Sequence, residues 1–173
     1  MSESPYIQEN QSMRQDRPSL PESYGVAQNL EGMLEWAWVD EQMLQSRSYW
    51  VATTRPDGRP QVIPVWGVWF DETFYFGTST GSRKARNLAV NPAIAVHLES
   101  GDDVVILEGV VKVVTDAALF ERYSDAYDAK YAVRPDNEPG SDGITYAVRP
   151  LHVLAWLEQD FLKTPTRWTF ERM

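Results

Sequence analysis

A chain of 173 residues with a formal net charge of −9 is long enough for one domain with a substantial core, and too acidic for a nucleic-acid-binding surface. It has no cysteine, which excludes disulfides and thiolate metal sites, and two histidines are too few for a structural zinc. No apolar run reaches membrane-span length and the polar N-terminus lacks a signal-peptide core, so the expectation is a soluble cytoplasmic protein without membrane or nucleic-acid partners.

Residues 1–28 read as a flexible arm. Pro5, Pro18 and Pro21 stand among Glu, Asp, Gln and Ser with almost no apolar rhythm. The single domain is expected over 29–173. Met33, Leu34, Trp36, Ala37, Trp38, Met43 and Leu44 recur at helical spacing and predict a helix from about Asn29 to Arg47. Trp36 and Trp38 cannot share one narrow stripe, so either both rest against a sheet or one faces a ligand.

A meander of strands comes next. Ser48 to Thr54 is the first, with a hairpin turn at Pro56-Asp57-Gly58. Gln61 to Phe70 is the second, and Pro64 within it predicts an edge or a bulge. Asp71-Glu72 turns the chain into a third strand at Phe74 to Thr78, after which Ser82 is placed to cap a helix over 82–89 that stops at Asn91-Pro92. Strands at 93–99 and 104–114 succeed it, the latter bent at Gly109. A helix over 117–130, a loop over 133–143 and strands at 145–157 and 167–170 complete the chain. This pattern predicts a mainly β fold: a six- to seven-stranded antiparallel split β-barrel with flanking helices, or else an open sandwich with the helices on its edge. Apolar residues on both faces of strands two and five (Val65, Val68 and Trp69; Val104, Ile106 and Val110) point to a homodimer.

The stretch 72–91 carries the chemistry. From Thr73 through Leu98 there is no Asp or Glu, although the chain as a whole is acidic. Gly77, Thr78, Ser79, Thr80, Gly81 and Ser82 supply hydroxyls and flexible backbone, and Arg83, Lys84 and Arg86 stand at the opening of a helix. Cations there oppose the helix dipole, a cost that a bound phosphate would offset. The geometry predicts that Ser82, Arg83 and Lys84 face the anion while Arg86 turns toward solvent.

The ordered set Phe74-Tyr75-Phe76-Gly77-Thr78, Gly81-Ser82-Arg83-Lys84-Ala85, Leu88, Asn91-Pro92, Ala95 and His97 resembles the flavin-binding split-barrel superfamily that contains pyridoxamine 5'-phosphate oxidase. The resemblance implies that Ser82, Arg83 and Lys84 hold the phosphate of FMN, with Thr78 and Ser79 beside it. The closing Thr166-Arg167-Trp168-Thr169-Phe170 resembles members that use the deazaflavin coenzyme F-420. That implies FMN or the deazaflavin as cofactor. Trp66 or Tyr75 is placed to line the ring, and Arg167 and Trp168, a cation beside an aromatic, suit a groove wall, unless Trp168 plugs the open end of its own barrel. The true oxidase carries an Arg and a Lys where this chain has Gln61 or Val62 and Trp66 or Gly67, and its substrate-holding signature has no clear match here.

The implied function is hydride transfer between the bound cofactor and a small organic acceptor, with a non-catalytic flavin carrier or an empty dimeric scaffold as rivals. No catalytic side chain is assigned. His97 and His152 read as hydrogen-bonded interior or interface residues.

Overall fold

The computed structural model describes residues 12–135 and 140–171; the first part of the predicted arm lies outside them. The described residues form nine antiparallel strands and three α-helices: β1 (Ser12–Asp16), α1 (Trp36–Gln45), β2 (Tyr49–Thr54), β3 (Pro60–Val65), β4 (Val68–Phe70), β5 (Thr73–Ser79), α2 (Arg83–Val90), β6 (Ala93–His97), β7 (Asp103–Val113), α3 (Ala117–Tyr131), β8 (Gly143–Leu157) and β9 (Thr166–Glu171).

The fold is mainly β with flanking helices, as expected, but the sheet does not close into a barrel. Its hydrogen-bonded path runs β1-β9-β8-β7-β6-β2-β3 and ends there, while β5 branches from β8 and carries β4 on its far side. The branch exists because β8 is fifteen residues long. One edge pairs with β7 from Tyr146 to Leu157, and the other pairs first with β5 and then with β9. Closure fails between β3 and β4, where the sequence suggests one continuous strand. At Trp66-Gly67 the ladder stops, and side chains of α3 take over its hydrogen bonds. Gly67 N–H donates to the Tyr131 hydroxyl (3.0 Å), and the Gly67 carbonyl receives Lys130 Nζ (3.1 Å) and lies 2.7 Å from the same hydroxyl. With its backbone groups satisfied, the segment has no need of a neighbouring strand. A side chain at Gly67 is also excluded, since a Cβ would lie 2.5 Å from the Phe74 ring.

The turns are as the residue types demand. Asp71 and Glu72 both adopt positive φ (49° and 51°), which makes the tight β4–β5 hairpin. Pro64 sits in β3, the last strand of the path, where a missing N–H costs no central ladder bond. Glu108 faces His152 and Gly109 faces Pro150, so Leu151 is the extra residue and the bulge lies in β8, opposite the glycine at which a bend in β7 was expected.

Alternation in β5 divides the interior. Phe74 and Phe76 enter the main core with Val51, Val96, Leu107, Val153 and Trp168, covered by Val39 and Met43 of α1. Tyr75 faces the other way, into a second cluster with Leu119, Phe120 and Tyr123 of α3. Trp36 and Trp38 both pack on the main core, so α1 spends both indoles on the sheet. Its start is at Trp36, seven residues later than the periodicity suggests, because Gly32 takes a left-handed φ of 80° and Met33 and Leu34 pack without helical geometry. Of the six residues read as surplus apolar surface, Val68, Trp69 and Val104 are buried in their own chain; Val65, Ile106 and Val110 are half-buried.

Residues 12–16 of the N-terminal segment form β1 against β9. The chain beyond β1 is held by Arg17, whose guanidinium donates to the carbonyls of Asn29, Glu31, Lys163 and Pro165. Four carbonyls from two separate segments therefore converge on one cation. Arg17→Ala is expected to lower unfolding stability by about 1–2 kcal/mol, the scale of charge-assisted bonds near the surface, read as a drop in the urea midpoint at unchanged m-value.

Candidate functional site

Ser82 caps α2, as the sequence predicts, and its oxygen accepts the Ala85 N–H at 3.2 Å. The Thr78 hydroxyl donates to the same oxygen at 3.1 Å. With two donors arriving, the Ser82 proton is free to point outward at a ligand. Backbone N–H groups of Arg83 and Lys84 lie in the unpaired first turn of a helix, where the dipole favours an anion.

Arg83 and Arg86 are exposed and Lys84 is half-buried. Among the described residues no ion pair involves any of the three. Burial holds the Lys84 ammonium below its ordinary pKa. A half-buried cation without a counter-charge, next in sequence to a capping hydroxyl and at an unpaired helix N-terminus, is the donor set that a phosphate requires.

The other predicted residues are placed differently. Ser79 is adjacent, but its hydroxyl donates to the Asp142 carboxylate at 2.5 Å, and Thr80 N–H donates to the Asp142 carbonyl. Trp66 lies at the β3–β4 break, 41% exposed and stacked on Tyr131 at 4.7 Å and 1°, with the Arg47 guanidinium 5.5 Å from its ring centre. Arg167 makes two bonds to Asp16 of β1 (2.8 and 3.0 Å). Trp168 is fully buried, edge-on to Trp36 at 5.6 Å. The structure thus joins Thr78 to Ser82, places Arg83 and Lys84 in the first turn of α2, sets Trp66 at the strand break, and gives Arg167 and Trp168 contacts within the chain.

A sequence profile described as pyridoxamine 5'-phosphate oxidase matches residues 37–157, more than two thirds of the chain. The chain belongs to that family. It is 40% identical over 87 residues to a pyridoxine/pyridoxamine 5'-phosphate oxidase of Rubrobacter xylanophilus, covering 49% of this chain and 37% of the relative. It is 32% identical over 125 residues to the enzyme of that name from Bradyrhizobium diazoefficiens, covering 70% and 49%. The chain therefore spans less than half the length of these curated relatives. A solved structure described as an F420 reductase superposes with a TM-score of 0.52 at 29% identity, over 65% of this chain and 94% of the other. Membership supports a cofactor of the flavin type.

Gln61 is one of the two residues, with Val62, at the place where the resemblance implies an arginine. Its side-chain oxygen accepts from Asn87 Nδ2 at 2.9 Å, and the same amide donates to Thr53 Oγ1 at 3.0 Å. A neutral trio therefore ties α2 to β2 and β3. Asn87 was not legible as a site residue; its one signal is a polar residue on the apolar side of an amphipathic helix. Asp142, in the glycine- and proline-rich loop, gave no signal either. His97 is half-buried and stacked on Trp50, with Nδ1 2.8 Å from the Leu98 carbonyl, whereas His152 is exposed rather than interior. Neither histidine stands at the cradle. Among the described residues no group of His, Asp and Glu side chains could hold a metal ion.

Lys130 is the other cation that sequence reasoning passed over. It donates to the Tyr49 hydroxyl (2.8 Å) and to Gly67 O, its ammonium lies 4.7 Å from the Tyr49 ring centre, and no described carboxylate pairs with it. Burial lowers its pKa to about 8. Between pH 8 and 10 the unfolded chain then binds more protons at this lysine than the folded chain does, so stability contributed here rises with pH. Above about 10 the buried Tyr49 and Tyr123, whose hydroxyls burial keeps protonated, act in the opposite direction. Lys130→Met is expected to leave stability at pH 7 equal or higher and to remove the rise between pH 8 and 10, measured as urea midpoints across that range.

Proposed function

We propose that this protein is an oxidoreductase that binds FMN or the deazaflavin coenzyme F-420 and transfers a hydride between it and a small organic acceptor. The observation that carries the reading is the half-buried, unpaired Lys84 beside the outward Ser82 hydroxyl at the start of α2. The donor set fits the phosphate of either cofactor. A bound flavin or deazaflavin supplies the hydride chemistry, and the protein's share is to bind, orient and exclude water. Ser82, Lys84 and the α2 N–H groups hold the phosphate, Arg83 adds charge at its rim, and Thr78 orients Ser82. Trp66 offers an aromatic surface for the ring.

The F420 reductase likeness supports the deazaflavin, and the curated oxidases support FMN. Vitamin B6 phosphate oxidation is disfavoured by Gln61 and Trp66, which leave the oxidase's two cationic positions neutral. A homodimer completes the proposal: Val62 (52% exposed) and Pro64 on β3, with Trp66 just beyond it, give the end of the sheet an apolar outer face, and a twofold mate burying roughly 1,000 Å² or more would cover it.

The test is purification from a host that makes both cofactors, followed by absorption and fluorescence of what remains bound. A copurifying flavin or deazaflavin that transfers a hydride stereospecifically to an enone supports the reading. Bound cofactor without turnover assigns a carrier instead, and a protein that binds neither overturns the proposal. Sedimentation equilibrium addresses the dimer, which a 19.8 kDa monomer with tight cofactor binding would refute.

A further inference from the structure

A cavity of about 310 Å³ lies between α3 and the sheet, on the opposite side of β5 from the main core. Its size is at the lower end of small-molecule sites, roughly 300–1,000 Å³, enough for a single substituted ring. Phe120, Tyr123 and Thr145 form its buried wall, and Val113 and Val133 stand exposed at its rim. Gly77 makes the depth available: a Cβ there would lie 2.9 Å from the Tyr123 oxygen and 3.9 Å from Thr145 Oγ1. Strand and tyrosine thus approach closely, leaving two buried hydroxyls on one wall.

Among the described residues lining the cavity none carries a charge. An ion entering it would lose water and gain no counter-charge from these residues. A neutral molecule would lose little, and its oxygen would find hydroxyls that both donate and accept. We propose that this cavity binds an uncharged, ring-sized organic molecule through the hydroxyls of Tyr123 and Thr145. The site is chemically the reverse of the cationic cradle, yet Thr78 belongs to both, since it lines the cavity and donates to Ser82. An occupant is therefore a neighbour of whatever the cradle holds; that it is the hydride acceptor rests on the proposed function.

Benzamide and benzoate, nearly the same shape and differing in charge, test the assignment on the full-length protein without added cofactor. Ligand-observed NMR titration should show benzamide binding at least ten-fold tighter than benzoate at pH 7. Val113→Trp, at the exposed rim, should fill the entrance and abolish benzamide binding with the thermal midpoint kept. If that variant fails to fold, Val133→Trp serves the same purpose from the other side. Equal binding of the two probes, no binding of either, or benzamide binding that survives the rim tryptophan overturns the site. Cofactor titration is run separately on the same preparations. Benzamide binding without cofactor binding would refute the flavin reading and leave this site standing, and the reverse result would do the opposite.

Discussion

Lys84→Ala is expected to weaken binding of the phosphorylated cofactor at least ten-fold while leaving the protein as stable as before. Both halves follow from the same environment. The ammonium is half-buried in the first turn of α2 without a partner among the described residues, and burial already depresses its pKa. A phosphate placed there gains a charge-assisted bond worth about 1.5–3 kcal/mol, which corresponds to a factor of ten or more in dissociation constant. The unliganded fold gains nothing from the charge, so removing it costs the empty protein little. Arg86→Ala provides the contrast. Arg86 is exposed and nearly a turn further along, and its loss should change affinity less than two-fold. Fluorescence titration of wild type and both variants with FMN and with the deazaflavin separately checks the claim, and equal dissociation constants for Lys84→Ala and wild type would refute it. Salt should weaken the wild type more than Lys84→Ala, because one screened interaction is missing from the variant.

The cluster proposed as the phosphate site was legible in the sequence as a cluster because it is local. Hydroxyls, glycines and cations succeed one another along ten residues, and a strand-to-helix junction folds them together whatever surrounds it. The same holds for the Asp71-Glu72 turn and the Ser82 cap, each set by its own residues. The features that were not legible depend on contacts between distant segments. The alternation over 61–70 suggests one strand, and only Lys130 and Tyr131, some sixty residues later, show why the ladder stops at Gly67 and the sheet remains open. β1 likewise has no apolar rhythm; it is a strand because β9 offers it a free edge and Asp16 meets Arg167. At the other end of the chain the sequence left two readings open, a groove wall at 167–168 or a Trp168 that plugs its own core. An aromatic beside a cation at 167–168 has the composition of a ring site, but in a strand adjacent residues face opposite sides. Arg167 therefore goes outward to Asp16 and Trp168 goes inward.

That inward placement sets the largest stability effect expected of a single substitution. Trp168 is fully buried, packed edge-on to Trp36 at 5.6 Å within a cluster that includes Phe170 and Trp69. Trp168→Ala removes the whole indole from a site whose walls are sheet and helix and cannot collapse around the void, so unfolding stability should fall by about 3–5 kcal/mol. Trp168→Phe should cost much less than its lost area suggests. The indole Nε1 is buried without a hydrogen-bond partner, and a desolvated donor of this kind carries a penalty of about 1–3 kcal/mol that phenylalanine does not have. The lost ring and the relieved donor then largely offset each other. Urea unfolding of the two variants measures the pair of values. Cofactor titration of Trp168→Phe decides between core and groove: a residue that walls a ring site would lose affinity with stability little changed, whereas a core residue would keep its affinity. A Phe variant that folds like wild type but binds cofactor ten-fold more weakly would return Trp168 to the site, and would require the indole to leave the core when the ring arrives.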